Sequence, residues 1–309
     1  MITNLWRKLT TRPVWWLERR RQYFIRHKIL GFAPIGAGCG PAVLAVLTTP
    51  STFLEALWVA WSWLRFLAPC VGLNLYVDGA VTAFQEQTVS RLFPGSVIYQ
   101  VSTFLRKHAP ERLCSNLFVQ TYPLGKKLAL VLAAQANFDV LYCDDDVLAF
   151  NQPAELEAAI TKKDRVCLFN QQPGYGSFDP WVLGRASELG VSHAPDLNAG
   201  LMWIPRGSLS LALAHQLLEG WHTGVAHPWF TEQTVCAVLM KVAGGEALPA
   251  DRYDVSMARQ FYWQPDVDYS VIAARHFVFP VRHVMYIKGL PCLLAQATGQ
   301  SPLSVPVIE

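Results

Sequence analysis

Asp144-Asp145-Asp146 are the residues of this 309-residue chain best suited to chemistry. They end an apolar run, Phe138 to Cys143, and Val147-Leu148 follow at once. Adjacent carboxylates repel one another unless a positive partner neutralises them, and a hard divalent cation does so through oxygen ligands. On an extended chain alternate side chains point the same way. Asp144 and Asp146 are therefore placed to share one metal while Asp145 faces elsewhere. In open α/β sheets ligands bind beyond the carboxyl ends of the strands. That rule adds Thr48, Thr49 and Asp78 to the aspartates, with Thr48 and Asp78 as candidate nucleotide contacts.

The elements that must position these residues read as alternating strands and helices. Continuous apolar runs mark strands buried on both faces, and the sequence predicts them at 42–49, 73–79, 96–102 and 138–144. Pro50-Ser51-Thr52 opens a helix running to about Leu67, with Ser51 or Thr52 as its cap. Further helices are expected at 82–92 and 126–136. This alternation is the α/β pattern, and right-handed crossovers give a mostly parallel central sheet with helices on both faces. The second half predicts strands at 165–170 and 197–205, a loop at 173–181, helices at 208–220 and 232–242, and a closing strand and turn within 274–289. Gly31 to Pro41 is rich in Gly and Pro and reads as a linker. The expected organisation is a basic, aromatic appendage at 1–30, one catalytic domain at 31–295 and a tail at 296–309.

Four segments carry a resemblance to a known family, and a fifth adds to it. VLYCDDDVL, over Val140 to Leu148, resembles the DxD signature of GT-A-fold glycosyltransferases, most closely the glycogenin and bacterial galactosyltransferase group. The resemblance implies a GT-A-like fold and a manganese (or magnesium) ion held by Asp144 and Asp146 on the diphosphate of a nucleotide-sugar. HFVFPVR, His276 to Arg282, is similar to the HFxGPxK segment of that group, with Phe279 in place of the Gly and His283-Val284 in place of Pro-Trp. It implies His276 as third metal ligand and Arg282 on the diphosphate, with His283 and Lys288 as alternatives. A neutral imidazole suits a divalent transition metal, and Arg clamps phosphate bidentately. LNAGLMWI, Leu197 to Ile204, resembles the FNSG/FNAG strand beside sugar and acceptor. Asn198 offers a donor and an acceptor to hydroxyls, and Gly200 permits close backbone approach. Glu232-Gln233 resembles the Asp-Gln pair that starts a helix after the acceptor region. LGKKLA places Lys127, or alternatively Lys126, as a basic donor-binding residue. Asp145 is grouped with the donor-binding residues. The implied activity is sugar transfer from a nucleotide-sugar to an acceptor hydroxyl with retained configuration. Glu232 remains a base for an inverting alternative.

Composition bounds the setting. An apolar share of 52% with 16% charged residues excludes a disordered chain. Residues 1–28 hold eight Lys or Arg and one acid, a net +7; removing that from the chain's +3 leaves the remainder at −4. The basic end, interleaved with Trp6, Trp15, Trp16, Tyr23 and Phe24, is suited to an anionic membrane surface. Charge confined to one end argues against nucleic acid. Seven scattered cysteines without a CxxC pair favour a reduced compartment, and no secretory signal is read. The expected location is cytoplasmic, peripheral on the inner face of a membrane. The apolar window Phe53 to Cys70 contains Glu55 and Arg65 and reads as a buried helix. Expected partners are the nucleotide-sugar and a glycan, lipid-linked or small-molecule acceptor. Tyr175, Phe178, Trp181, Trp229, Phe230, Tyr262 and Trp263 are candidates to stack on it. The competing classes are a non-catalytic nucleotide-sugar or glycan-binding protein and a nucleotidyltransferase. The latter wants a Gly-rich basic loop where this chain has Thr48-Thr49-Pro50.

Overall fold

The computed structural model describes residues 24–38, 40, 42–162, 166–171, 178–192, 194–225, 227–255, 267–278 and 281–299. The first half runs β1 (Ala42–Thr48), α1 (Phe53–Leu67), β2 (Val71–Val77), α2 (Ala83–Leu92), β3 (Val97–Gln100), α3 (Val101–His108), α4 (Pro123–Asn137), β4 (Asp139–Asp144) and β5 (Val147–Ala149). The second half runs α5 (Ala154–Lys162), β6 (Leu168–Gln171), α6 (Pro180–Glu188), β7 (Leu197–Ile204), α7 (Leu211–Leu218), α8 (Pro228–Val242), β8 (Glu246–Ala247), β9 (Tyr253–Asp254), β10 (Ala274–His276) and α9 (Leu290–Thr298).

Period-two alternation divides the core between the two faces of the sheet. Ala42, Leu44 and Val46 join Leu141 and Cys143 beneath α1, while Val43 and Ala45 join Val140 and Tyr142 beneath α4 and α8. Strands apolar on both faces must be covered on both, which is why helices lie on each side. The main sheet has the order β3-β2-β1-β4-β7-β6-β8. β1, β2, β3 and β4 are mutually parallel, and β7 runs antiparallel to both β4 and β6. A second sheet, β5-β10-β9, pairs His276 with Val147 across β10 and β5. The expected mostly parallel sheet with helices on both faces is therefore present.

Several boundaries differ from the sequence reading for identifiable reasons. The third strand stops at Gln100, because Val101, Phe104 and Leu105 form a buried helical stripe that overrides their β-propensity. Pro123 and Pro228 occupy the first turns of α4 and α8, so both helices begin earlier than 126 and 232. Most of the expected loop at 173–181 lies outside the described residues, but its end is helical: Asp179 caps α6 by accepting from Trp181 N at 2.9 Å. The Gly-rich stretch before β1 is held down rather than free. Ile35 N donates to Leu92 O at 2.8 Å, and Gly38 N to Val71 O at 2.9 Å.

The apolar window at 53–70 is α1, whose two charges both have protein partners. Arg65 donates to the carbonyls of Ala149 and Phe150 at 3.0 and 2.8 Å, and Glu55 is paired. No helix among the described residues is long and apolar enough to cross a membrane. The same helix braces the aspartate turn, because Trp63 Nε1 donates to Val147 O at 3.0 Å.

Gly125 lies in the first turns of α4, where an added Cβ would overlap the Phe118 carbonyl. Gly125→Ala is expected to destabilise the protein by about 1–3 kcal/mol through forced backbone separation. Chemical denaturation reads this, and an unchanged midpoint would show that α4 shifts freely.

Candidate active site

The aspartates stand where the chain leaves the sheet. β4 ends at Asp144, residues 145–146 form a turn, and β5 begins at Val147. The extended geometry assumed from sequence thus gives way to a turn, yet Asp144 and Asp146 still converge. β10 pairs beside β5, and Phe277 N donates to Asp146 O at 2.9 Å. This pairing carries His276 to the turn, so that one ligand atom from each of Asp144, Asp146 and His276 lies within 4.8 Å of the others.

The imidazole is oriented by β7. Gly200 N donates to Asn198 Oδ1 at 3.0 Å, which fixes the amide with its oxygen facing the ring. His276 Nδ1 is 2.7 Å from that oxygen and must carry the proton that bridges them. Nε2 then faces Asp146 Oδ1 at 3.0 Å and Asp144 Oδ2 at 3.9 Å. Two lone-pair atoms at that separation require a positive species between them, either a second proton on the ring or a metal cation. Two carboxylates and an imidazole suit a divalent ion, so the residues fit the metal that the DxD resemblance implies. Gly200 provides the room: a Cβ there would overlap the His276 ring.

Two cations hold the acids of the site in place. Lys127, buried on α4, donates to Asp144 Oδ2 at 2.9 Å and lies 3.4 Å from Glu232 Oε1 on α8. Burial works against its charge, but Asp144 and then Glu232 overcome it and hold the ammonium above its usual range. Tyr142, two residues before Asp144 on the same strand face, donates to Asp144 Oδ1 at 2.7 Å. Arg282 pairs with Asp145 and stands 3.6 Å from Asp146 Oδ2. Burial raises the Asp145 carboxyl to about 6 despite Arg282. For Asp146 burial is outweighed by His276, Arg282 and Lys127, and the carboxyl sits below its usual range. Glu232, 3% exposed, is pushed up to about 7 by burial against the pull of Lys127.

The other sequence candidates are arranged around this centre. Thr48 is buried, and its hydroxyl meets Thr52 Oγ1 at 3.0 Å in the loop after β1. Lys126 pairs with both oxygens of Asp78 at 3.1 Å, so the two lysines serve different acids. Gln233 is half-buried beside Glu232. Trp229 is exposed one turn earlier on α8, while Tyr175, Tyr262, Trp263 and Phe279 lie outside the described residues. Sequence reasoning missed Tyr142, although its place two residues before Asp144 puts both on one strand face.

Two outcomes follow from this geometry. Asn198→Ala removes the group that orients the imidazole and is expected to weaken Mn²⁺ binding about 10–100-fold with the fold retained; calorimetric titration measures it. Between pH 4.5 and about 7 the folded chain keeps a Glu232 proton that the unfolded chain releases. Its stability contribution is full at low pH and falls as pH rises through that window. Glu232→Gln removes this slope, so the variant's Tm relative to wild type should be higher at about pH 8 than at about pH 5.

No protein-family model matches the chain, and no curated protein matches it in sequence. Solved structures match in fold. The apo WbbM bifunctional glycosyltransferase aligns with TM-score 0.51 and 10% identity, over 85% of this chain and 52% of that one. Mouse xyloside xylosyltransferase 1, also apo, aligns with TM-score 0.49 and 14% identity, over 79% and 98%. The galactosyltransferase LgtC, solved with donor and acceptor sugar analogues, aligns with TM-score 0.49 and 10% identity, over 85% and 97%. With its mostly parallel sheet, its reversed β7 and an Asp-x-Asp turn at the end of β4, this chain has the GT-A fold of nucleotide-sugar glycosyltransferases.

Proposed function

We propose that the protein is a metal-dependent glycosyltransferase that moves a sugar from a nucleotide-diphosphate donor to an acceptor hydroxyl. The observation that carries this reading is His276 Nε2, turned by Asn198 toward Asp144 and Asp146. A histidine serving only the core has no need of two carboxylates facing one nitrogen.

When bound there, Mn²⁺ or Mg²⁺ offsets the negative charge that the leaving diphosphate gains. Asp144, Asp146 and His276 would hold the ion. Arg282 binds a diphosphate oxygen, and Asp145 orients its guanidinium. Lys127 holds Asp144 in place through an ion pair, and it lies between that carboxylate and Glu232. Glu232 and Gln233 face the donor sugar and the acceptor hydroxyl. A buried carboxyl near 7 exchanges its proton at neutral pH. Asn198 acts through His276, and Gly200 keeps the space the ring occupies. Thr48 belongs to the loop that receives the nucleotide. Retention of configuration is the proposed outcome; an inverted product would make Glu232 the base. The acceptor is a glycan, a lipid-linked sugar or a small molecule. The basic N-terminal appendage, residues 1–30, holds the enzyme at the cytoplasmic surface of a membrane.

A panel of nucleotide-sugars, with and without Mn²⁺, tests this. The expected result is metal-dependent release of one nucleoside diphosphate, reduced at least about 100-fold in Asp144→Asn/Asp146→Asn. Donor binding without turnover would replace the enzyme with a binding protein, and release of pyrophosphate would indicate nucleotidyl transfer.

A further inference from the structure

Glu55 lies in the first turn of α1 and is 1% exposed. An acid is favoured at a helix N-terminus, but that effect does not require burial. Each of its oxygens has a partner from a distant part of the chain. Oε2 accepts from Arg26 Nη2 at 2.8 Å, and Oε1 accepts from the Tyr286 hydroxyl at 2.7 Å. The same Arg26 nitrogen donates to Ser51 O at 2.6 Å. One guanidinium therefore ties the helical turn at 24–27 to both α1 and the loop before it.

That loop reaches the aspartates. Thr49 Oγ1 lies 2.8 Å from Ser51 Oγ and 3.0 Å from Thr52 Oγ1. The Thr52 hydroxyl stands near enough to Asp145, the partner of Arg282, to favour its charged form. Tyr286 offers a second route. It stands four residues after Arg282, where Arg282–Val284 continues into a π-helical stretch, Met285–Gly289. Such stretches are rare and frequently lie at functional sites. Simple anchoring of residues 24–27 is already served by Trp58 Nε1, which donates to Arg26 O at 3.0 Å. A buried ion pair is a weak source of stability, since desolvation offsets much of its attraction. Hydrogen bonds that tie one carboxylate to two distant segments instead fix geometry, here through Arg26 Nη2 and the Tyr286 hydroxyl.

We propose that Glu55 is a positioning residue for the donor diphosphate, fixing the Thr48–Thr52 loop through Arg26 and the segment carrying Arg282 through Tyr286. The proposal rests on the reading of the site as a diphosphate site. It makes the turn at 24–27 a working part of the catalytic body, although the sequence groups it with the appendage.

Calorimetric binding of inorganic pyrophosphate with Mn²⁺ to the full chain tests this, with Mn²⁺ alone as the reference. Tyr286→Phe keeps the ring and removes one hydroxyl; Arg26→Gln removes the charge and Arg26→Lys restores it. Pyrophosphate affinity is expected to fall about ten-fold in Tyr286→Phe and Arg26→Gln, to recover in part in Arg26→Lys, and Mn²⁺ affinity to change less than about two-fold. With the donor, KM should rise while kcat stays within about two-fold. Unchanged pyrophosphate affinity in Tyr286→Phe and Arg26→Gln would overturn the proposal and leave a structural tie. Wild-type protein that binds Mn²⁺ but no pyrophosphate would instead overturn the diphosphate reading itself, and this proposal with it.

Discussion

Excess negative charge at the end of β4 is the constraint around which the molecule is organised. Asp144, Asp145, Asp146 and Glu232 converge there on two permanent cations, Lys127 and Arg282, and on one imidazole. Fully ionised, the four acids exceed the two cations by two charges. Burial raises the carboxyls of Asp145 and Glu232 even against the pull of Arg282 and Lys127. A divalent cation would balance the excess, so the electrostatics and the donor set favour the same ligand.

Each neighbouring element delivers one piece of the balance. β10 pairs with β5 and brings His276 alongside Asp146. β7 runs antiparallel to β4 and projects Asn198 and Gly200 past its end, where one orients the imidazole and the other leaves room for it. α4 and α8 cover the second face of the sheet and carry Lys127 and Glu232 inward. α1 covers the opposite face and braces the turn through Trp63. The site is therefore held by contacts between elements distant in sequence.

Much of this was legible in the residues. Strands buried on both faces leave continuous apolar runs, so β1, β2 and β4 were evident, and with them the strand end that carries Asp144. His276, Asn198, Gly200 and Lys127 were found because short motifs around them resemble a family. Nothing in their spacing reports that Gly200 packs on His276 or that Asn198 fixes its tautomer. Those relations arise from the pairing of β5 with β10 and from the antiparallel course of β7, which single-chain periodicity does not encode. Val101 and Ser102 were read into the third strand because local β-propensity and helical burial compete within a few residues. Tyr286 and Arg26 carried no signal at all, since their common partner Glu55 looks like an ordinary first-turn acid.

The most direct test of the account is the anomalous difference density of crystals grown with Mn²⁺. The account predicts one ion ligated by Asp144, Asp146 and Nε2 of His276, with Nδ1 still on Asn198. An ion bound elsewhere, or no ion with His276 still paired to Asp146, would contradict it.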